Sequence, residues 1–210
     1  MATITVFGAS GKVGRLVVAE ALRRGHRVIA FTHSHNLSTQ HKRLTVTQGD
    51  INDPTAVTRA MRGADAVISC LGSWGTPTKD IVASGTRTII PAMRSAGVQR
   101  IISLTGADAR TTGDHIGIIH RLSHRLIGLV AGKVLRDGEE HIRLLSASGL
   151  EWTVIRSPVM LPFGNAGGFR LSQHRPLPIA TVPRVVAAAC MLDELDDDRF
   201  LQAAPFLHHA

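Results

Sequence analysis

Residues 6–15, "VFGASGKVGR", decide how the rest of the chain is read. Gly8, Gly11 and Gly14 stand at G-x-x-G-x-x-G spacing directly behind a β-branched run. In a strand-turn-helix setting each has a separate use. Gly8 lets the chain turn tightly, Gly11 lets the backbone approach a pyrophosphate, and Gly14 lets the helix close on the strand. The helix start then presents N–H groups and a positive dipole end to the phosphates. Lys12 is followed by Val13, so the Gly-Lys-Ser/Thr ending of a P-loop is missing. The stretch reads as a dinucleotide cradle.

Outward from it, apolar runs alternate with helical patterns. Strands are expected at "ITVFGA", "HRVIAFT", "LTVTQGD", "DAVISCLG", "QRIISLTG" and "EWTVIRS". Helices are expected over residues 12–24, 52–63, 78–97, 134–147 and 183–195. Asp53 and Pro54 suit the cap and first position of the second, and Gly97 suits the end of the third. A short strand is expected near 178–180 and a last one near 199–202. The class is therefore α/β, a single-domain doubly wound parallel sheet with helices on both faces, spanning residues 1–210. Substrate-side loops at 106–133 and 158–178 gather at the carboxyl edge, where such sheets bind ligands.

Composition limits the function classes. The 210 residues are 44% hydrophobic, enough for a substantial core. The most apolar run, "LIGLVAG" at 126–132, is too short to span a membrane. The strand-like "ATITVF" start leaves no signal peptide, so a cytoplasmic location is expected. Cys70 and Cys190 lie in apolar surroundings and read as buried small hydrophobes. The net charge is +8, but the basic residues are scattered and tyrosine is absent. No direct nucleic-acid partner is expected.

The end of the second strand reads "FTHSHN", without the acid that usually holds an NAD ribose. Thr32, His33 and Ser34 can donate to a 2′-phosphate, and Lys12, Arg15 or Lys42 can supply charge. This favours NADP(H) over NAD(H). Asp50 suits either an adenine acceptor or a turn residue. His115, His120 and His124 cluster after the fifth strand, where histidine is suited to proton transfer, although a polar surface segment explains them as well. His120 and His124 have helical ligand spacing but no accompanying Glu-rich or Cys motif, so no metal is expected. Arg156 ends a buried strand and suits a carboxylate partner or a ligand. Residues 193–198 are an acidic turn.

The ordered segments "VFGASGKVG", "GDINDPTAV", "DAVISCLG", "GVQRIISLTGADA" and "SGLEWTVIRSP" resemble the atypical short-chain dehydrogenase/reductase proteins with an NAD(P)H-binding domain. Within that group the flavin reductase/biliverdin-IXβ reductase and NmrA-like proteins look most similar. The resemblance implies a Rossmann fold with NADP(H) held by Gly8, Ser10, Gly11, Val13 and Gly14. It implies Asp50 and Ile51 near adenine, Leu71 and Gly72 near a ribose, and Thr105, Pro158 and Val159 around the nicotinamide. Lys133 stands where relatives often reach the nicotinamide ribose; a solvated helix lysine is the alternative. Thr105, His115, Lys133 and His141 are the candidate catalytic residues.

The chain departs from the family in three places. It has no tyrosine, so the Tyr-x-x-x-Lys acid/base pair of typical short-chain dehydrogenases cannot operate. Val185 stands where many relatives carry an acid. Ile142, beside His141, falls where the flavin reductase group tends to place a histidine. The expectation is an NADPH-dependent reductase delivering hydride to a small flat conjugated acceptor such as a flavin or quinone, as monomer or homodimer. A non-catalytic NADP(H) sensor is the alternative. A sugar-nucleotide epimerase is disfavoured, because it normally needs the tyrosine and a larger substrate region.

Overall fold

The computed structural model describes residues 1–33, 37, 39–74, 76–114, 117–165 and 167–209. Its frame is an eight-stranded sheet of β1 (Thr3–Phe7), β2 (Arg27–Thr32), β3 (Leu44–Gln48), β4 (Ala66–Ser69), β5 (Arg100–Gly106), β6 (Glu151–Ser157), β8 (Phe169–Ser172) and β10 (Phe206–His209). The order is β3-β2-β1-β4-β5-β6-β10-β8. All pairs are parallel except β10 with β8. The chain leaves β1 toward β2 and later returns to its other side with β4. That reversal opens a crevice at the carboxyl ends of β1 and β4, directly above the glycine turn.

Among the described residues five helices cover the sheet: α1 (Gly14–Arg23), α2 (Pro54–Ala60), α3 (Ile81–Ala96), α4 (Ile118–Ser146) and α5 (Arg184–Asp193). Alternation along β1 divides the core. Ile4 and Val6 join Val17, Val18, Val186 and Met191 under α1 and α5. Phe7 joins Val57, Met61, Ile89, Met93 and Leu145 under α2, α3 and α4. Asp53 caps α2 by accepting from the Thr55 amide, and Gly97 ends α3 at φ +73°. Cys190 is buried, and burial pushes the Cys70 thiol up to about 12. Among the described residues no helix is long and apolar enough to cross a membrane.

Four local expectations need correction. α4 begins at Ile118 rather than near residue 134, so residues 118–133 are helix and not loop. Its backbone breaks at Ala131 (φ −133°, ψ 32°). Leu122, Leu126, Leu129 and Val130 of its first part are exposed, so their spacing marks no core-facing stripe. The 158–178 segment contains β7 (Val159–Leu161) and β8, and β7 pairs with β9 (Thr181–Pro183) instead of a strand at 178–180. The last strand is β10, not residues 199–202. Gln202 takes φ +53°, and the chain then runs beside β6 through Ala203 and Pro205, accepting from the Val154 and Arg156 amides.

Candidate functional site

The glycine turn is closed by backbone on backbone. Gly8 has φ +69°, and a Cβ there would lie 2.8 Å from the Cys70 carbonyl oxygen. A Cβ at Gly14 would lie 2.1 Å from the Gly8 carbonyl oxygen. The Gly11 amide donates to that same oxygen at 2.9 Å, and the Arg15 Nε donates to the Ser10 carbonyl at 2.9 Å. Among the described residues no side chain caps the start of α1. Gly11 and Lys12 are exposed, Ser10 is half-buried and Val13 is buried in the core. The turn therefore offers an open, uncapped helix end at the crevice, the arrangement a pyrophosphate needs.

Around it, the Thr32 hydroxyl is buried with no hydrogen-bond partner among the described residues. A buried orphan hydroxyl is costly, and a ligand group at the end of β2 would relieve it. His33 is exposed, and Ser34 lies outside the described residues. Asp50 accepts from both the backbone amide and the side chain of Asn52, so one of its oxygens serves the turn into α2. Ile51 is buried, Leu71 half-buried and Gly72 open. Sequence reasoning missed Gly85. A Cβ there would lie 2.6 Å from Leu71 and 2.8 Å from Ile51, so this mid-helix glycine lets α3 back both residues.

At the carboxyl ends of β4, β5 and β6 the helices dictate what faces outward. Gly138 of α4 lies against Thr105, where a Cβ would come within 2.5 Å of the hydroxyl oxygen. One residue earlier, buried Asp137 accepts from the Ser73 hydroxyl and from the Val82 and Ala83 amides at 3.2 and 2.7 Å. Asp137 thus caps α3 from a neighbouring helix. Neither residue was singled out from the sequence; a glycine inside the helical "RDGEEH" was the available signal.

His141 does not reach this edge. It is fully buried, with Nδ1 2.7 Å from the Thr86 hydroxyl and Nε2 2.7 Å from the Ser103 hydroxyl. Thr86 already donates to the Val82 carbonyl, so it accepts from His141 Nδ1–H, and Nε2 accepts from Ser103. Burial lowers this imidazole to about 4. Both nitrogens of this candidate residue are committed inside the protein: His141 ties α3, α4 and β5 together. His115 lies outside the described residues, as does the His120 side chain. His124 contacts the Asp108 carbonyl at 3.3 Å. Lys133 is exposed on α4, one turn before Asp137.

Arg156 is 1% exposed. It donates to Asp114 at 2.5 Å and to the Ala204 carbonyl at 2.7 Å, and stacks 3.7 Å over the Phe206 ring. Burial alone would raise the Asp114 carboxyl, but Arg156 and the Thr111 amide outweigh it and hold it below its ordinary value. Of the two readings of Arg156, the carboxylate partner is the one realised. Pro158 is half-buried, while Val159 and Phe163 are 65% and 70% exposed, and Trp74 is 70% exposed after β4.

Comparison with known proteins agrees with this geometry. The model of the NAD(P)H-binding family matches residues 8–198. The chain is 32% identical over 136 residues to the 2-alkyl-3-oxoalkanoate reductase of Stenotrophomonas maltophilia, covering 62% of this chain and 38% of that protein. It is 31% identical over 127 residues to a 3 beta-hydroxysteroid dehydrogenase/Delta 5-->4-isomerase of Mycobacterium tuberculosis, covering 54% and 34%. The chain thus spans little more than a third of these curated relatives. In fold it resembles ChuY, an anaerobillin reductase of Escherichia coli O157:H7, with TM-score 0.81, 22% identity and 99% and 97% of the two chains covered. It also resembles a short-chain dehydrogenase/reductase of Veillonella parvula in complex with NADP, with TM-score 0.80, 17% identity and 99% and 94% covered. With its glycine turn at the switch point of a doubly wound sheet, the chain belongs to the NAD(P)H-binding family.

Proposed function

We propose that the chain is an NADPH-dependent reductase that transfers hydride to a flat conjugated acceptor such as a flavin or quinone. The observation that carries this reading is the pairing of two features. One is a glycine turn that closes only without side chains. The other is a carboxyl edge with no tyrosine, bordered by the exposed side chains Trp74, Val159 and Phe163. The names of the reductases among its relatives support the same class of chemistry.

In this reading Gly8, Ser10, Gly11, Lys12, Val13 and Gly14 hold the pyrophosphate. Thr32, His33 and Ser34 meet the 2′-phosphate, and Asp50 and Ile51 border the adenine. Leu71, Gly72 and Lys133 hold the ribose, and Thr105, Pro158 and Val159 frame the nicotinamide. Bound NADPH supplies the hydride, and water supplies the proton that completes two-electron reduction of the acceptor. The residues orient and exclude solvent; a flavin or quinone needs no dedicated side-chain acid. Buried, committed His141 fits that division of labour.

Two measurements test the proposal. NADPH mixed with the protein and riboflavin or a small quinone is expected to lose its reduced-nicotinamide absorbance at a rate proportional to protein. Tight NADP binding without turnover on any acceptor would replace the enzyme with a sensor. The acid-free end of β2, with Lys12 and Arg15 at the glycine turn and Lys42 ahead of β3 as candidate sources of charge, supports NADP(H) over NAD(H). Titration is expected to give NADP the lower Kd; equal or tighter NAD binding would refute the preference.

A further inference from the structure

The groove between α3 and α4 lies beside the proposed hydride site and has a charge pattern that flavin or quinone rings alone would not use. The two helices run in parallel register: Val82 and Ala83 meet Asp137, Thr86 meets His141, and Arg87 meets Glu140. A cavity of about 560 Å³ opens between them, bordered by Lys79, Asp80, Lys133 and Arg136. The Arg87 and Glu140 ion pair at 2.7 Å also borders it, one turn beyond Asp137. Lys133 belongs both to this groove and to the proposed ribose contacts, and Gly138, one residue past Asp137, backs Thr105.

The acids of the groove are mostly committed. Asp137 is spent on Ser73 and the start of α3, and Glu140 on Arg87 and Arg143. Apart from Arg87, the cations are not. Among the described residues, no ion pair or hydrogen bond engages the Lys133 ammonium or the Arg136 guanidinium, and Lys79 donates only to the Thr76 carbonyl. Asp80 is the remaining unengaged carboxylate there among the described residues. Unengaged cations in a concave site beside a reaction centre select an anion, and a guanidinium suits a planar carboxylate or a phosphate in particular.

We propose that this groove holds an anionic substituent of the hydride acceptor, a phosphate monoester or a carboxylate, with Arg136 and Lys79 as its specificity-determining contacts beside Lys133. The proposal rests on the reductase reading and deepens it from a flat acceptor to a flat acceptor with an acidic arm.

The test compares acceptors that differ only in that arm. Riboflavin is set against FMN, and a neutral naphthoquinone against the same ring bearing a carboxylate, so that the two anion chemistries are read separately. Binding is followed in the presence of NADP by flavin fluorescence or by competition, and turnover by NADPH oxidation. At least one anionic acceptor is expected to bind about tenfold more tightly than its neutral partner at low salt, with the advantage shrinking as salt rises. Arg136→Ala is expected to remove most of that preference, Arg136→Lys to restore part of it, and Asp80→Asn to enlarge it. Neutral acceptors should be unaffected by all three. Equal binding within both pairs, or a preference that survives Arg136→Ala, overturns the groove. Turnover of riboflavin with no anion preference would leave the reductase reading standing without it. Anion-selective binding without turnover of any acceptor would do the reverse.

Discussion

Gly14→Ala is expected to cost the protein both its fold stability and NADP(H) binding, whereas Gly11→Ala is expected to cost binding alone. The two positions lie three residues apart in the same turn and differ in what surrounds them. At Gly14 the new methyl would sit 2.1 Å from the Gly8 carbonyl oxygen and 2.9 Å from the Ala9 Cα. Both are backbone, so the turn itself must move. Overpacking of this kind costs roughly 3 kcal/mol, on the order of 10 °C in Tm for a domain of this size. At Gly11 the only close neighbour among the described residues is the Gly8 oxygen at 3.1 Å, and the residue is exposed. A few tenths of an ångström relieve that contact, so Tm should move by no more than about 2 °C. The methyl would instead occupy the open side of the turn, where a pyrophosphate must approach backbone N–H groups. Binding is expected to weaken about tenfold or more. Thermal melts with and without NADP, alongside titrations, separate the two effects. Gly11→Ala binding NADP like the wild type would mean that no ligand approaches this turn.

That contrast also marks what the sequence could reveal. Gly8, Gly11 and Gly14 are legible because their roles depend on neighbours a few residues away. Asp53, Pro54 and Gly97 are legible for the same reason, each deciding the end of its own helix. The first six strands read correctly because each is an apolar run bounded by turn residues. β10 did not, because "FLHH" carries little strand propensity and its place depends on the edge that β6 and β8 offer it. The first part of α4 was hidden because its exposed leucines do not report a core-facing period.

The candidate site divides along the same line. The glycine turn is local, and its close backbone packing follows from the spacing alone. Asp137 capping α3, Gly138 against Thr105 and Gly85 behind Leu71 and Ile51 join residues 14 to 55 positions apart, so no spacing rule exposes them. His141 shows the converse. A histidine beside the position expected from relatives invites a chemical role, yet two hydrogen bonds from distant elements make it part of the interior. Arg156 was open between ligand and carboxylate until the fold placed Asp114 beside it.

The last consequence concerns acid. Wild-type stability is expected to change little between pH 7 and 5, because two buried groups oppose one another. His141 is lowered by burial to about 4, below its unfolded value near 6.5. In that interval the unfolded chain binds more protons at this site, so the contribution of His141 is present above pH 6.5 and is lost as pH falls toward 4. Glu194 is raised to about 7, first by burial and then by Asp197, with Arg100 and Arg199 opposing. It is buried and its Oε2 has no hydrogen-bond partner among the described residues, so the folded state favours the neutral acid. Its contribution is present at low pH and is lost as pH rises through 7. Each amounts to something on the order of 1–2 kcal/mol over the interval, with opposite sign. Glu20 and Glu140, held near 2 by their arginines, act mainly below pH 5. Removing one group should therefore expose the other. Glu194→Gln is expected to lose stability as pH falls from 7 to 5, and His141→Gln to gain it. Urea unfolding at several pH values measures the slopes, which do not depend on the absolute cost of either substitution. If His141→Gln fails to fold, the Glu194→Gln slope still decides the matter, since a curve parallel to the wild type would show that neither buried group titrates as its surroundings require.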